Sequence, residues 1–153
     1  IYGTGDIVER DYVRAAGLFQ RAADLGEVTA KFNLAMLYKH GAGVARDDAA
    51  ATRLFLAAAE AGDMRSAYQA ARALDRGAGI GRDRQEAARQ AIAALRGGYG
   101  PARVSLAEQP QTWSAEFRRA VQRELHGLGV YDGAIDGIFG RGTRRALTDL
   151  SGE

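Results

Sequence analysis

The sequence predicts an all-α fold: a right-handed α-solenoid of helix-pair repeats (an α/α superhelix) ended by a small helical module. Three observations predict it. The run Gly26–Val44, GEVTAKFNLAMLYKHGAGV, returns after 36 residues, with Gly26 falling on Gly62, Phe32 on Tyr68, Gly41 on Gly77, Gly43 on Gly79 and Val44 on Ile80. The linking segment shifts likewise, Asp11 onto Asp47 and Asp83, Ala15 onto Ala51 and Ala87, and Phe19 onto Phe55; a further shift takes Gly26 to Gly98, Ala30 to Ala102 and Leu34 to Leu106. A fixed period of tens of residues marks a stacked repeat. Within each copy, small and apolar residues recur at helical spacing between glycine stops. After Pro110 the period is lost and a helix, an Asp-Gly loop and a second short helix follow.

In chain order, Tyr2–Val8 aligns with the tail of a preceding unit, Tyr2 under Tyr38, Gly5 under Gly41 and Val8 under Val44, and is expected to form that unit's turn. Asp11–Leu25 reads as a helix with the stripe Tyr12, Ala15, Ala16, Phe19, Ala22 and Ala23, ended at Gly26. Glu27–His40 is its partner, with Ala30, Leu34, Leu37 and Tyr38 inward. Asp47 caps the next helix, Asp63 caps Met64–Arg76, and Asp83 stands three residues before Glu86, a capping-box-like spacing. That helix runs to Leu95 and stops at Gly97-Gly98. Pro101–Ala107 opens one more unit, which Pro110 ends. The many alanines allow helices to approach closely, and Phe19, Phe32, Phe55 and Tyr68 fill the gaps between successive pairs.

Totals narrow the function. Of 153 residues, 21 are basic and 19 acidic; residues 1–97 carry 14 basic and 12 acidic side chains and the remainder seven of each. Neither part has the basic excess of a nucleic-acid binder, so no nucleic-acid partner is expected. There is no Cys, hence no disulfide framework and no thiolate metal site. No apolar run reaches the roughly 18 residues of a membrane helix, so no membrane insertion is expected within these residues. The chain lacks an initiator Met and a signal peptide and begins inside a repeat turn, which reads as a fragment of a longer protein.

The run from Asp11 to Val44 resembles the SEL-one-like repeat, a relative of the tetratricopeptide repeat. Its signatures stand here as Ala15…Phe19…Ala22-Ala23…Gly26 and Leu34…Tyr38…Gly41-Ala-Gly43-Val44. The second copy keeps Ala51…Phe55…Ala58-Ala59…Gly62 but has Ala70 and Leu74 in place of Leu and Tyr, and the third has Ala91 where Phe is expected. The resemblance spans about residues 2–107 and implies a protein-binding scaffold. Candidate groove residues are the polar positions on the second helices of the pairs: Lys31, Asn33, Lys39, Arg65, Gln69 and Arg72. Their plain alternative is ordinary surface.

Trp113–Gly127 reads as a helix with Phe117, Ala120, Val121 and Leu125 on one face. The loop 128–140 and a short helix Thr143–Leu150 follow. The pattern Val121-Gln122, Leu125, Leu128-Gly129, Gly133, Asp136-Gly137, Phe139-Gly140, Thr143 and Ala146-Leu147 resembles the small helical peptidoglycan-binding domain. Leu150-Ser151 departs from the usual Phe-Gln, and the match ends short of a full domain. This divides the chain into a solenoid at 1–110 and a truncated module at 111–153. Tyr131 is the candidate stacking surface, with Asp132 beside it. Asp136 either only closes the Asp-Gly turn or also orients groups toward glycan or stem peptide. Arg141, Arg144 and Arg145 either meet stem-peptide carboxylates or form a solvated face. Ile135 and Phe139 are expected in the core, and Trp113 where solenoid and module meet.

No catalytic or metal-binding constellation and no cofactor motif emerges. His40 and His126 each precede Gly at a helix end, where a cation suits the dipole. Gly77-Ala-Gly79-Ile-Gly81 follows a helix and lacks the Lys-Ser/Thr ending of a phosphate loop. The order of the two resemblances is similar to the periplasmic end of bacterial envelope and polar localisation factors. It implies a non-enzymatic periplasmic scaffold whose partners are peptidoglycan and unidentified proteins. Two alternatives stand beside it: a protein scaffold with the module as a structural cap, and a regulatory segment of a larger envelope enzyme.

Overall fold

The computed structural model describes residues 4–152, and among them every regular element is helical. The elements are α1 (Thr4–Asp24), α2 (Val28–His40), α3 (Asp48–Glu60), α4 (Met64–Arg76), α5 (Arg84–Arg96), α6 (Gly100–Arg103), α7 (Ala115–Gly127) and α8 (Arg141–Ser151). A π-helical turn at Val104–Glu108 prolongs α6, and a single 3₁₀ turn at Pro110–Thr112 leads into α7. From α1 to α5 each helix packs on its neighbours in sequence, and α5 also packs on α7. This is the solenoid expected from the period, with contacts between adjacent units.

The caps sit where the aspartates place them. Asp47 accepts the Ala50 N–H at 2.9 Å, Asp63 the Ser66 N–H at 3.2 Å and Asp83 the Glu86 N–H at 2.9 Å. Each carboxylate thus satisfies an N–H the helix itself leaves free. Glu86 does not complete a capping box: its side chain accepts from Arg89 and Gln90 instead.

The glycine that closes each repeat turn is fixed by close approach. Gly43 has φ +68°, and a Cβ there would stand 2.2 Å from the Tyr12 carbonyl carbon on α1. Gly79, one period on, has φ +72° and would meet the Ala49 nitrogen of α3 at 2.1 Å. Each turn therefore folds back onto the first helix of its own pair with no room for a side chain. This explains where the sequence reading fails. One period before Gly43 stands Ile7, a β-branched residue poorly suited to positive φ. The expected turn at residues 4–8 is absent, and α1 begins at Thr4 and runs through Gly5 and Val8. Tyr2 lies outside the described residues. Tyr12, expected inward, is 43% exposed, and Ile7, Val8 and Val13 on the same helix are also exposed.

Downstream the core is continuous. Leu74 of α4, Ala91 and Leu95 of α5, Leu106, Trp113 and Phe117 share one buried cluster with Phe139 and Leu147. The alanines that face this core and the upstream ones are fully buried, Ala35, Ala58, Ala70, Ala87, Ala88 and Ala91 at 0% exposure. Phe32 and Phe55 meet between the first two pairs with ring centroids 5.8 Å apart.

Trp113 precedes α7 rather than opening it. The helix starts at Ala115 because Ser114 is its N-cap, accepting the Phe117 N–H at 3.1 Å. Asp75, buried at the end of α4, accepts the Ser114 N–H at 3.0 Å and its hydroxyl hydrogen, and pairs with Arg84 at 3.5 Å. The start of α7 is thereby fastened to the solenoid.

Candidate functional sites

The Asp-Gly loop is built around Gln122, a fully buried residue on the inner face of α7. Its Oε1 accepts the Gly137 N–H at 2.7 Å. Its Nε2 donates toward the Ile138 carbonyl at 3.0 Å, Asp136 Oδ1 at 3.1 Å and Thr143 Oγ1 at 3.3 Å. Asp136 Oδ1 also accepts the Ile138 N–H at 2.8 Å, so the carboxylate closes the turn. Arg118 adds a clamp, donating from Nε to the Gly137 carbonyl at 2.7 Å and from Nη1 to the Trp113 carbonyl at 2.9 Å.

These bonds set the charge state of Asp136. The Ile138 N–H first, and the Gln122 amide second, hold its carboxyl below the ordinary 3.8. The sign follows: a depressed carboxylate contributes stability that is present above pH 3.8 and is lost as pH falls through its lower folded value. Amide hydrogen exchange at Gly137 and Ile138 is expected to lose protection below pH 3.8. Asp136→Asn should remove that pH dependence, and a loop equally protected at pH 2 and pH 5 would contradict it.

The loop places the remaining candidates unequally. Tyr131, Asp132 and Arg145 line one depression together with Gly133, Ala146 and Asp149. Tyr131 is not the freely exposed ring expected of it: it is half-buried, packs against the core, and its hydroxyl donates to the Ala134 carbonyl at 2.7 Å. Gly133 makes room for that ring, since a Cβ there would come within 2.8 Å of three of its atoms. Arg144 lies in a second, shallower groove with Arg118, Ile138 and Pro110. Arg141, the first residue of α8, is exposed and lines neither. Ile135 is corrected from core to surface at 41% exposure, and Ile138 stands 70% exposed. Phe139 is core as expected. Ile138 is thus an apolar contact beside Arg144 that the sequence reading missed; the only signal was its alternation with buried Gly137 and Phe139. His126 directs Nδ1 at the Tyr131 carbonyl, 3.1 Å away.

On the solenoid, three of the six groove candidates converge. Lys39 Nζ donates to Gln69 Oε1 at 2.8 Å, and both line a cleft with Arg72, Arg46, Asp48 and Arg76. Burial, then the nearby Arg76, pushes the Lys39 ammonium below 10.5, while Asp48 opposes the shift. Arg65 is elsewhere, bonded to Asp63 at 3.0 Å with its guanidinium 4.4 Å over the Phe32 ring. Lys31 and Asn33 are half-buried and outside the cleft. Arg46, Asp48 and Arg76 were not picked out from sequence. They come from the turn after α2, the start of α3 and the end of α4, and only the fold juxtaposes them. Arg72 has a second role, lying 3.9 Å over the Trp113 ring and donating to the Thr112 carbonyl at 2.9 Å.

Among the described residues no group of His, Asp or Glu is arranged to hold a metal ion, and no helix is long and apolar enough to cross a membrane.

Comparison with known proteins agrees with this architecture. The family described as "Sel1 repeat" matches residues 1–27, 28–63 and 65–89. The family described as "Putative peptidoglycan binding domain" matches residues 114–150. Among solved structures, c5321, a protective antigen of uropathogenic Escherichia coli with an SLR fold, superposes with a TM-score of 0.60 at 22% identity over 92% of this chain. A Sel1 repeat protein from Oxalobacter formigenes does so with a TM-score of 0.59 at 23% identity, again over 92%. The chain spans 34% of the first structure and 64% of the second. No curated protein sequence matches it. With the repeat matched over more than half its length, the chain belongs to the Sel1 repeat family.

Proposed function

We propose that this chain is a non-enzymatic periplasmic scaffold, acting at the cell pole or elsewhere in the envelope. In this reading residues 1–110 hold partner proteins and residues 111–153 associate with peptidoglycan. The observation that carries it is the open depression lined by Tyr131, Asp132 and Arg145, bordered by the loop that the Gln122–Asp136 network closes, inside the stretch matched by the peptidoglycan-binding family. An amide and hydroxyl cluster spent on shaping a surface loop makes a rigid site. Arg145 offers a fork for a stem-peptide carboxylate, and Asp132 an acceptor for glycan hydroxyls.

Co-sedimentation of the intact chain with isolated sacculi tests this reading. Saturable pelleting is expected, reduced several-fold by Arg145→Gln and Asp132→Asn with helicity unchanged. Both side chains are exposed and outside the loop's hydrogen bonds, so a loss cannot be ascribed to unfolding. A chain that stays in the supernatant would reject wall association. The continuous core from α4 to α8 favours a second reading in that event, in which the module serves as the polar cap a solenoid requires.

A further inference from the structure

We propose that the cleft between α2, α3 and α4 is a carboxylate site that takes a glutamate or aspartate side chain of an acidic peptide segment on a partner protein. This rests on the reading of the solenoid as the protein-binding part. The cleft gathers four cations, Lys39, Arg46, Arg72 and Arg76, against one carboxylate, Asp48. Arg46 and Asp48 satisfy each other through two hydrogen bonds, at 3.1 and 3.0 Å. Among the described residues no ion pair joins Lys39, Arg72 or Arg76 to a carboxylate. Arg72 turns its guanidinium to Tyr68, Thr112 and the Trp113 ring, so Lys39 and Arg76 are the cations left to line the concavity, whose one carboxylate, Asp48, is already bonded to Arg46.

The donors are arranged before any ligand arrives. Gln69 accepts from the Lys39 ammonium at 2.8 Å, which fixes that ammonium and leaves the Gln69 amide hydrogens to donate. Ala51, Phe55 and Ala73 give the cleft an apolar wall suited to a methylene stem. Its volume of about 70 Å³ has room for a carboxylate on a short stem. Burial and Arg76 lower the affinity of Lys39 for its proton more than Asp48 raises it, as expected where a partly buried cluster holds more positive than negative charge. A seated carboxylate would reverse it and gain charge-assisted hydrogen bonds from several donors.

The chain has two lysines, Lys31 and Lys39, and only Lys39 lines the cleft. Reductive ¹³C-methylation therefore gives one reporter inside the site and two outside it, Lys31 and the chain's α-amino group, with the Lys39 signal assigned by Lys39→Met. The intact chain is titrated with acetyl-Ser-Glu-Glu-Leu-amide, with its Gln-Gln counterpart, and with inorganic phosphate. The Lys39 signal is expected to move saturably with the Glu peptide alone while Lys31 stays in place. Arg76→Gln should weaken the midpoint about tenfold, the order of one charge-assisted hydrogen bond. Lys31 and Lys39 moving together, no movement at millimolar peptide, or phosphate acting at lower concentration than peptide would each overturn the proposal. Cross-linking of the full chain to its protein partners tests the underlying reading separately. Cross-links to α1–α4 beside a silent Lys39 would reject the cleft and leave the scaffold standing; no cross-links would reject the scaffold.

Discussion

Gln122→Leu is expected to destabilise the protein by about 3 kcal/mol, measured as a shift in urea unfolding at pH 7. The estimate has two parts. Removing Oε1 leaves the buried Gly137 N–H without its acceptor, worth roughly 1–3 kcal/mol. Removing Nε2 takes a donor from the Asp136 carboxylate and the Ile138 carbonyl, about 1 kcal/mol more after solvent is allowed to replace part of it. Leu fills most of the volume, so cavity formation contributes little. Gln122→Glu separates the two parts. It keeps the acceptor for Gly137 but sets a second carboxylate where the amide donor stood, 3.1 Å from Asp136 Oδ1. Two carboxylates at that distance repel, so this variant should be the less stable one at pH 7. It should recover as pH falls and the introduced Glu protonates to become a donor. A loss below about 1 kcal/mol for Gln122→Leu would mean the network does not hold the loop in solution.

The repeat part was legible because its determinants are local and recur. Asp47, Asp63 and Asp83 cap the helices they precede, and Gly43 and Gly79 mark close contacts. The same logic explains the failure at residues 4–8, where Ile7 occupies the glycine position and the helix simply continues. The module's pattern was also legible, including Gln122 and Asp136 as fixed positions. What those residues do was not, because Gln122 and Asp136 lie 14 positions apart and meet only across the folded loop. Ring exposure at Tyr131 was misread for a related reason: Gly133 folds the chain under the ring, which periodicity does not reveal. The cationic cleft is the least legible feature. Its four cations come from the ends of α2 and α4 and the turn between α2 and α3, and no single stretch is basic enough to draw notice.

Trp113→Ala is expected to cost about 4 kcal/mol, the upper range for deleting a buried aromatic. Trp113 is 3% exposed and sandwiched. Its ring stacks on Phe117 with centroids 4.0 Å apart and planes at 12°, meets Tyr68 edge-on at 6.0 Å, and carries the Arg72 guanidinium 3.9 Å from its centroid. Arg72 also holds the Thr112 carbonyl, so the residue joins α4 to α7 by packing, cation–π attraction and backbone alignment at once. Trp113→Phe should cost far less, because the indole Nε1 is buried without a hydrogen-bond partner and its removal relieves that desolvation. Thermal unfolding followed by circular dichroism checks both. If the core from α4 to α8 is one unit, Trp113→Ala lowers a single transition; two separated transitions would show that α7 and α8 melt apart from the repeats. The first outcome has a consequence for function. Removing residues 113–153 would strip the cover from Leu74, Ile92, Leu95 and Leu106 and unfold the last repeat pair. Loss of sacculus or partner binding in such a truncation would then report lost structure, so only exposed substitutions such as Arg145→Gln can separate a wall-binding module from a structural cap.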